Sequence, residues 1–159
     1  MMRRNIFLFL FSILSISFLA ACSFNTDNVS GDGNLEGFWH LERIEYLSTD
    51  AAGATTVSSV SDLSNQLIFW SFQQKLLELS DKSDESRGAL LCRFTANDGH
   101  LTIDNVYIPS YDTDSLSTDV SLLAPFGMSQ QQNETYSYTI HGSKMTLTGS
   151  DRRLFFTRF

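Results

Sequence analysis

The chain has 159 residues, 11 of them basic and 18 acidic, for a formal net charge of −7. That acidity excludes broad contact with nucleic acid, whose phosphates demand a basic face, and it disfavours docking by basic attraction to anionic lipid headgroups. The length suits one domain, and two cysteines cannot form a disulfide framework.

At the start, Arg3 and Arg4 precede an apolar run from Ile6 to Ala21 that is broken only by Ser12, Ser15 and Ser17. A charged start, an apolar middle and two small residues, Ala20 and Ala21, predict a secretory signal peptide over residues 1–21. The run is slightly short for a spanning helix, which needs about 20 apolar residues. An uncleaved anchor helix with an incidental cysteine is the alternative. Leu19-Ala20-Ala21-Cys22 resembles the lipobox of bacterial lipoproteins. The resemblance implies a diacylglyceryl group on the Cys22 thiol, cleavage just before it and acylation of the new amino terminus. One chain, at about 0.8 kcal/mol per buried CH₂, anchors marginally, and two or more hold firmly. Loss of Arg3 and Arg4 with the leader leaves 9 basic against 18 acidic residues, a net charge of −9. With Cys22 acylated, Cys92 has no partner for a disulfide. It lies in the apolar stretch LLCRF, where a small buried hydrophobe is expected rather than a reactive thiol.

Residues 22–34 are polar and rich in Gly, Ser, Asn and Asp, the composition of a flexible tether. By analogy with Gram-negative lipoproteins, where an Asp after the lipidated cysteine favours inner-membrane retention, Ser23 leans toward the outer membrane. The domain, residues 35–159, then shows the period-two patterning of strands. GFWHLERIEYL reads as a strand from Gly37 to Leu47. Ser48 to Asn65 is rich in Ser, Thr and Ala and reads as a loop. Residues 66–80 form either one long bulged strand or two strands joined near Gln73-Gln74, while Lys75–Leu79 also fits a helix. Asp81 to Gly88 is a charged loop. LLCRF points Leu90, Cys92 and Phe94 inward. Asn97-Asp98-Gly99 turns the chain into a strand with Leu101 and Ile103 inward, and Asp-Gly is a strong hairpin signal. In residues 109–134, DSLSTDVSLLAPF fits a short helix capped by Ser117 or Thr118 and ended by Pro125. Tyr136, Tyr138 and Ile140 alternate with Ser137 and Thr139. Gly142 turns this strand into another carrying Met145 and Leu147, and RLFFTRF closes the chain as a terminal strand. The sum is seven or eight strands, mostly joined by short turns. An all-β, antiparallel, up-and-down barrel, which abolishes exposed edges, is the expected fold, with a β-sandwich as the alternative.

The first strand carries Gly37-Phe38-Trp39. This G-x-W resembles the opening motif of lipocalin and calycin barrels, in which the Trp plugs the closed end under an Arg or Lys of the last strand. In a closed antiparallel barrel the last strand pairs with the first, so Arg158 is expected beside Trp39. Together with the lipobox, the tether and the terminal hairpin, the chain resembles the lipocalin-like lipoproteins of Gram-negative gut bacteria.

No nucleophile elbow, P-loop or H-E-x-x-H pair is present. Asp112–Asp119 opens like a calcium loop but lacks its glycine and late glutamate. Three dispersed histidines suggest no metal site, and no paired carboxylates suggest hydrolysis. An enzyme, a cofactor and a metal are therefore not expected. Thirteen Phe, five Tyr and two Trp are many for this length. They either fill the barrel or line a site. An eight-stranded interior has room for side chains or one small ligand, and Phe72, Phe94, Tyr136, Tyr138 and Met145 would suit an apolar or aromatic molecule. The expected function is a membrane-anchored protein of the cell envelope that binds a small hydrophobic ligand. The alternative is a protein-interaction or accessory module that works through residues 48–65 and 109–134.

Overall fold

Alternating burial decides which way each strand faces. The computed structural model describes residues 34–159 apart from Glu85 and Gln131; the predicted leader, Cys22 and the tether to residue 33 lie outside the described residues. Ten strands follow in chain order: β1 (Gly37–Thr49), β2 (Thr55–Asp62), β3 (Ile68–Gln73), β4 (Leu76–Asp81), β5 (Leu90–Asn97), β6 (His100–Ile108), β7 (Ser115–Leu116), β8 (Gln132–His141), β9 (Lys144–Thr148) and β10 (Arg152–Arg158). In β8, Glu134, Tyr136 and Tyr138 are buried while the residues between them are exposed. Leu90, Cys92 and Phe94 of β5 are likewise buried, as are Leu101, Ile103 and Val106 of β6.

The order of hydrogen-bonded neighbours is β10-β9-β8-β6-β5-β4-β3-β1, and β10 pairs back onto β1. Eight antiparallel strands therefore close on themselves, and the sandwich alternative falls. Two short strands extend the wall. β1 pairs with β10 along residues 39–46, so β3 (against 37–40) and β2 (against 43–49) must share its other edge. By the same logic β7 continues the line of β8 along β6.

Three local expectations are corrected. Ser48–Asn65 is not all loop: β1 runs to Thr49 and β2 occupies residues 55–62. The strand escapes the period-two test because β2 is exposed on both faces, with only Ser61 partly covered. Lys75–Leu79 is not helical: β3 and β4 are two strands turned at Gln74, whose φ is +56°. In residues 115–126 the helix is replaced by β7 and two single 3₁₀ turns, Val120–Leu122 and Ala124–Phe126. Asp119, not Ser117 or Thr118, caps the first by accepting from Ser121 N at 2.9 Å. Pro125 does not end a helix but opens the second turn, where its missing N–H costs nothing.

Between β5 and β6, Asp98 (φ +49°) and Gly99 (φ +76°) both sit in the left-handed region. That is the type I′ geometry whose twist suits a two-residue hairpin. This turn, the turn at Gln74 and the turn at Gly142 gather at one end with Asn34, the first described residue. The described residues of 50–54, 82–89, 109–130 and 149–151 gather at the other, the mouth. The core fills the space between, from Leu35 and Trp39 to Leu123, Phe126 and Met128.

Candidate functional site

At the closed end, Trp39 is buried and its Nε1 donates to Leu35 O at 2.8 Å. Trp39 and Arg158 are register partners across the β1–β10 seam, and the Arg158 guanidinium lies 4.4 Å from the indole centroid. Its Nη2 also donates to Asn34 O at 2.6 Å, tying the segment before β1 to the end of the last strand. Gly37 has φ +128°, and a Cβ there would stand 3.8 Å from Arg158 Nη1. The glycine serves the backbone angle more than the space. A cation over an indole face contributes about 0.5–2 kcal/mol.

The five residues expected to line a ligand site, Phe72, Phe94, Tyr136, Tyr138 and Met145, all face inward and are buried. Phe72 and Phe94 meet edge to face at 5.1 Å. Trp70 joins them: its ring lies 6.2 Å from Phe72, 6.2 Å from Tyr136 and 5.3 Å from Phe156. Trp70 was legible as the residue two before Phe72 on the same strand face. These rings pack against one another, so the aromatic wealth first serves the core.

The mouth carries what the sequence reading did not supply. Leu123, Phe126 and Met128 of the segment after β7 are buried with the barrel core, and Phe126 is 0% exposed. The segment is a plug. Trp70 Nε1 donates to Phe126 O at 3.2 Å, across 56 residues of chain. Arg152 Nη1 donates to Gly127 O at 3.1 Å, while its Nε and Nη2 hold Asp151. Gly127 has φ +78°, and a Cβ there would meet Leu154 Cδ2 at 2.5 Å and Ile44 Cδ1 at 3.1 Å. Only glycine lets the plug backbone turn so close to the wall.

Glu134 fastens the far end of the plug. Its carboxylate is buried and accepts from Ser129 N (3.0 Å to each oxygen), Ser129 Oγ (3.0 Å), Gln130 N (3.0 Å) and Tyr136 Oη (2.8 Å). A buried charge is tolerable only when so satisfied. Burial, then the charge of Glu134, pushes the Tyr136 hydroxyl well above its usual range, which keeps it a donor. The same two causes raise the Cys92 thiol to about 12, so it is an inert core residue. The signal for Glu134 was present: it continues the inward series of Tyr136 and Tyr138 by one step of two.

Beside the plug lies an apolar pocket of about 270 Å³. Ala89, Leu90, Ile108, Leu122 and Phe126 contribute its apolar lining. Arg87 stands at its rim, paired with Asp81 at 2.5 Å and Asp84 at 3.7 Å. Among the described residues no group of three or more His, Cys, Asp or Glu could hold a metal ion.

An eight-stranded antiparallel barrel with a Trp at the closed end, an Arg laid over it and an apolar pocket at the mouth defines a calycin-type barrel. A family model described as a lipocalin-like domain matches residues 17–159, and the chain belongs to that family. Among solved structures, a lipocalin-like protein from Bacteroides uniformis aligns with TM-score 0.50 and 17% identity, over 79% of this chain and 98% of that one. An uncharacterized protein from Bacteroides eggerthii aligns with TM-score 0.49 and 17% identity, over 79% of this chain and 100% of that one. No curated protein matches the sequence.

Proposed function

We propose that this chain is a lipid-anchored envelope protein that binds a small apolar molecule at its mouth, with residues 120–128 as the plug the ligand must pass or displace. The observation that carries this reading is the pocket over Phe126. It is apolar, it is sized for a small ligand, and the core ring in its lining belongs to a short, loop-borne segment rather than to a strand. Leader removal at Cys22, acylation of its thiol and an outer-membrane address belong to the same proposal. So does the division into leader (1–21), tether (22–34) and barrel (35–159). The described chain enters at the closed end, beside Arg158. An anchor on Cys22 would therefore hold the closed end toward the bilayer and leave the mouth facing water. A tether of this composition has a reach of about 20 Å.

The mostly aliphatic lining supports binding of an apolar molecule. The test is titration of the membrane-extracted protein with N-phenyl-1-naphthylamine, a dye that brightens in apolar sites. One saturable site is expected, weakened at least tenfold by Ile108→Glu, which sets a carboxylate in the pocket. Absence of saturable binding, or binding indifferent to Ile108→Glu, would refute the reading. For the anchor, Cys22→Ser should abolish acylation and leave the leader attached, so that the intact mass gains residues 1–21 and loses the acyl chains; a variant still acylated or still cleaved before residue 22 would refute it.

A further inference from the structure

A closed barrel has no edges, yet this one carries a free edge. Among the described residues β2 pairs with β1 alone, and it ends the path of paired strands. Its sequence, Thr55-Thr56-Val57-Ser58-Ser59-Val60-Ser61-Asp62, is β-prone, has no proline or lysine and carries no charge before Asp62. Such an edge is a ready template for another strand, and proteins normally blunt it. Val57 is 48% exposed and Val60 56% exposed. A register shift in the β1–β2 ladder sets Val57 opposite Leu47 and Val60 opposite Glu45, leaving Ser58 as the extra residue. Residues 45 and 47 share a face of β1, so both valines lie on that one face.

We propose that the β2 edge is a self-association surface, pairing antiparallel with β2 of a second copy about a two-fold axis between Ser58 and Ser59. The strand is its own complement. Val-Ser-Ser-Val reads the same in both directions, as a two-fold interface requires. In that register Val57 faces the second copy's Val60, Ser58 faces Ser59, Thr56 faces Ser61 and Thr55 faces Asp62. No like charges oppose one another. Because the bulge puts both valines on one face, the pairing gathers four valines into a single patch. One strand pair falls at the weak end of specific interfaces, under roughly 1,200 Å² in total. Association is therefore expected at roughly 10 µM to 1 mM. The surface lies on the outer wall and does not depend on ligand binding at the mouth.

The test is sedimentation velocity of the detergent-extracted full chain over that concentration range, with two variants that change only exposed positions. The wild type is expected to dimerise with concentration. V57D/V60D, which places carboxylates opposite carboxylates, should weaken the dimer at least tenfold. V57K/V60D, which places Lys opposite Asp only in the antiparallel register, should keep it within about threefold. Matched melting temperatures will show that both variants fold. A wild type that stays monomeric throughout, a dimer indifferent to V57D/V60D, or loss of the dimer in V57K/V60D would each overturn the proposal. A photo-crosslinker at position 60 that captures a foreign strand and never a second copy would also overturn it.

Discussion

Replacing Glu134 by Gln keeps the shape of the plug's fastening and reverses half of its hydrogen-bond polarity. The carboxylate receives two backbone N–H groups and two hydroxyls. A glutamine can aim its oxygen at Ser129 and Tyr136, but its NH₂ then faces the N–H of Gln130, and two donors meet. One orphaned buried donor costs about 1–3 kcal/mol, and the remaining bonds lose their charge assistance, roughly 0.5–1 kcal/mol each. With one donor orphaned and three bonds weakened, the sum is about 2.5–6 kcal/mol against the docked plug. Amide exchange of residues 120–130 measures the loss directly, with Trp70 emission as a second readout because its indole donates to Phe126 O. The variant should exchange these amides about a hundredfold faster or more, while amides of β5 and β6 change little. A shift below about 0.5 kcal/mol would refute the reasoning, because the carboxylate would then not be what holds the segment.

Gly127→Ala forces a β-carbon against Leu154 at a positive φ; the backbone and overpacking costs together predict a loss of about 2–5 kcal/mol in urea unfolding. Arg158→Ala removes the guanidinium from Trp39 and from Asn34 O and should cost about 1–2 kcal/mol, with Arg158→Lys recovering part of it. For pH, the Cys92 thiol is raised in the fold from 9.0 to about 12. Its contribution is therefore complete below pH 9 and is lost as pH rises from 9 toward 12, by up to about 1.4 kcal/mol per pH unit. Cys92→Ala should flatten that alkaline slope, and the native thiol should resist iodoacetamide until the chain unfolds. At the acid end, Asp151 is held below the usual carboxylate range by its hydrogen bonds to Arg152. Its stabilising share is present above the unfolded carboxylate pKa and disappears as pH falls through the lower folded value.

Strands with one wet and one dry face were readable residue by residue. Leu90-Cys92-Phe94, Tyr136-Tyr138 and Met145-Leu147 all face the core because side chains alternate and only one face is buried. Closure followed from the same pattern, and closure alone sets the end of the last strand beside Trp39. β2 was unreadable for the opposite reason: with both faces in water, nothing forces its residues to alternate. The plug was missed because LLAPFGM has neither helical nor strand period. Its three inward residues, Leu123, Phe126 and Met128, are spaced by two 3₁₀ turns and a left-handed Gly127. Glu134 was passed over because a carboxylate at an inward position contradicts the apolar pattern. Its hydrogen bonds to the plug explain why it is there.

The indole N–H resonances of the two tryptophans offer the most direct test of the plugged barrel. Trp39 lies under Arg158 at the closed end, and Trp70 is bonded to the plug. Saturation with N-phenyl-1-naphthylamine should shift the Trp70 indole signal and speed its exchange with solvent, leaving Trp39 unmoved. A Trp70 signal unchanged at saturation, or both indoles moving together, would contradict a ligand site gated by residues 120–128.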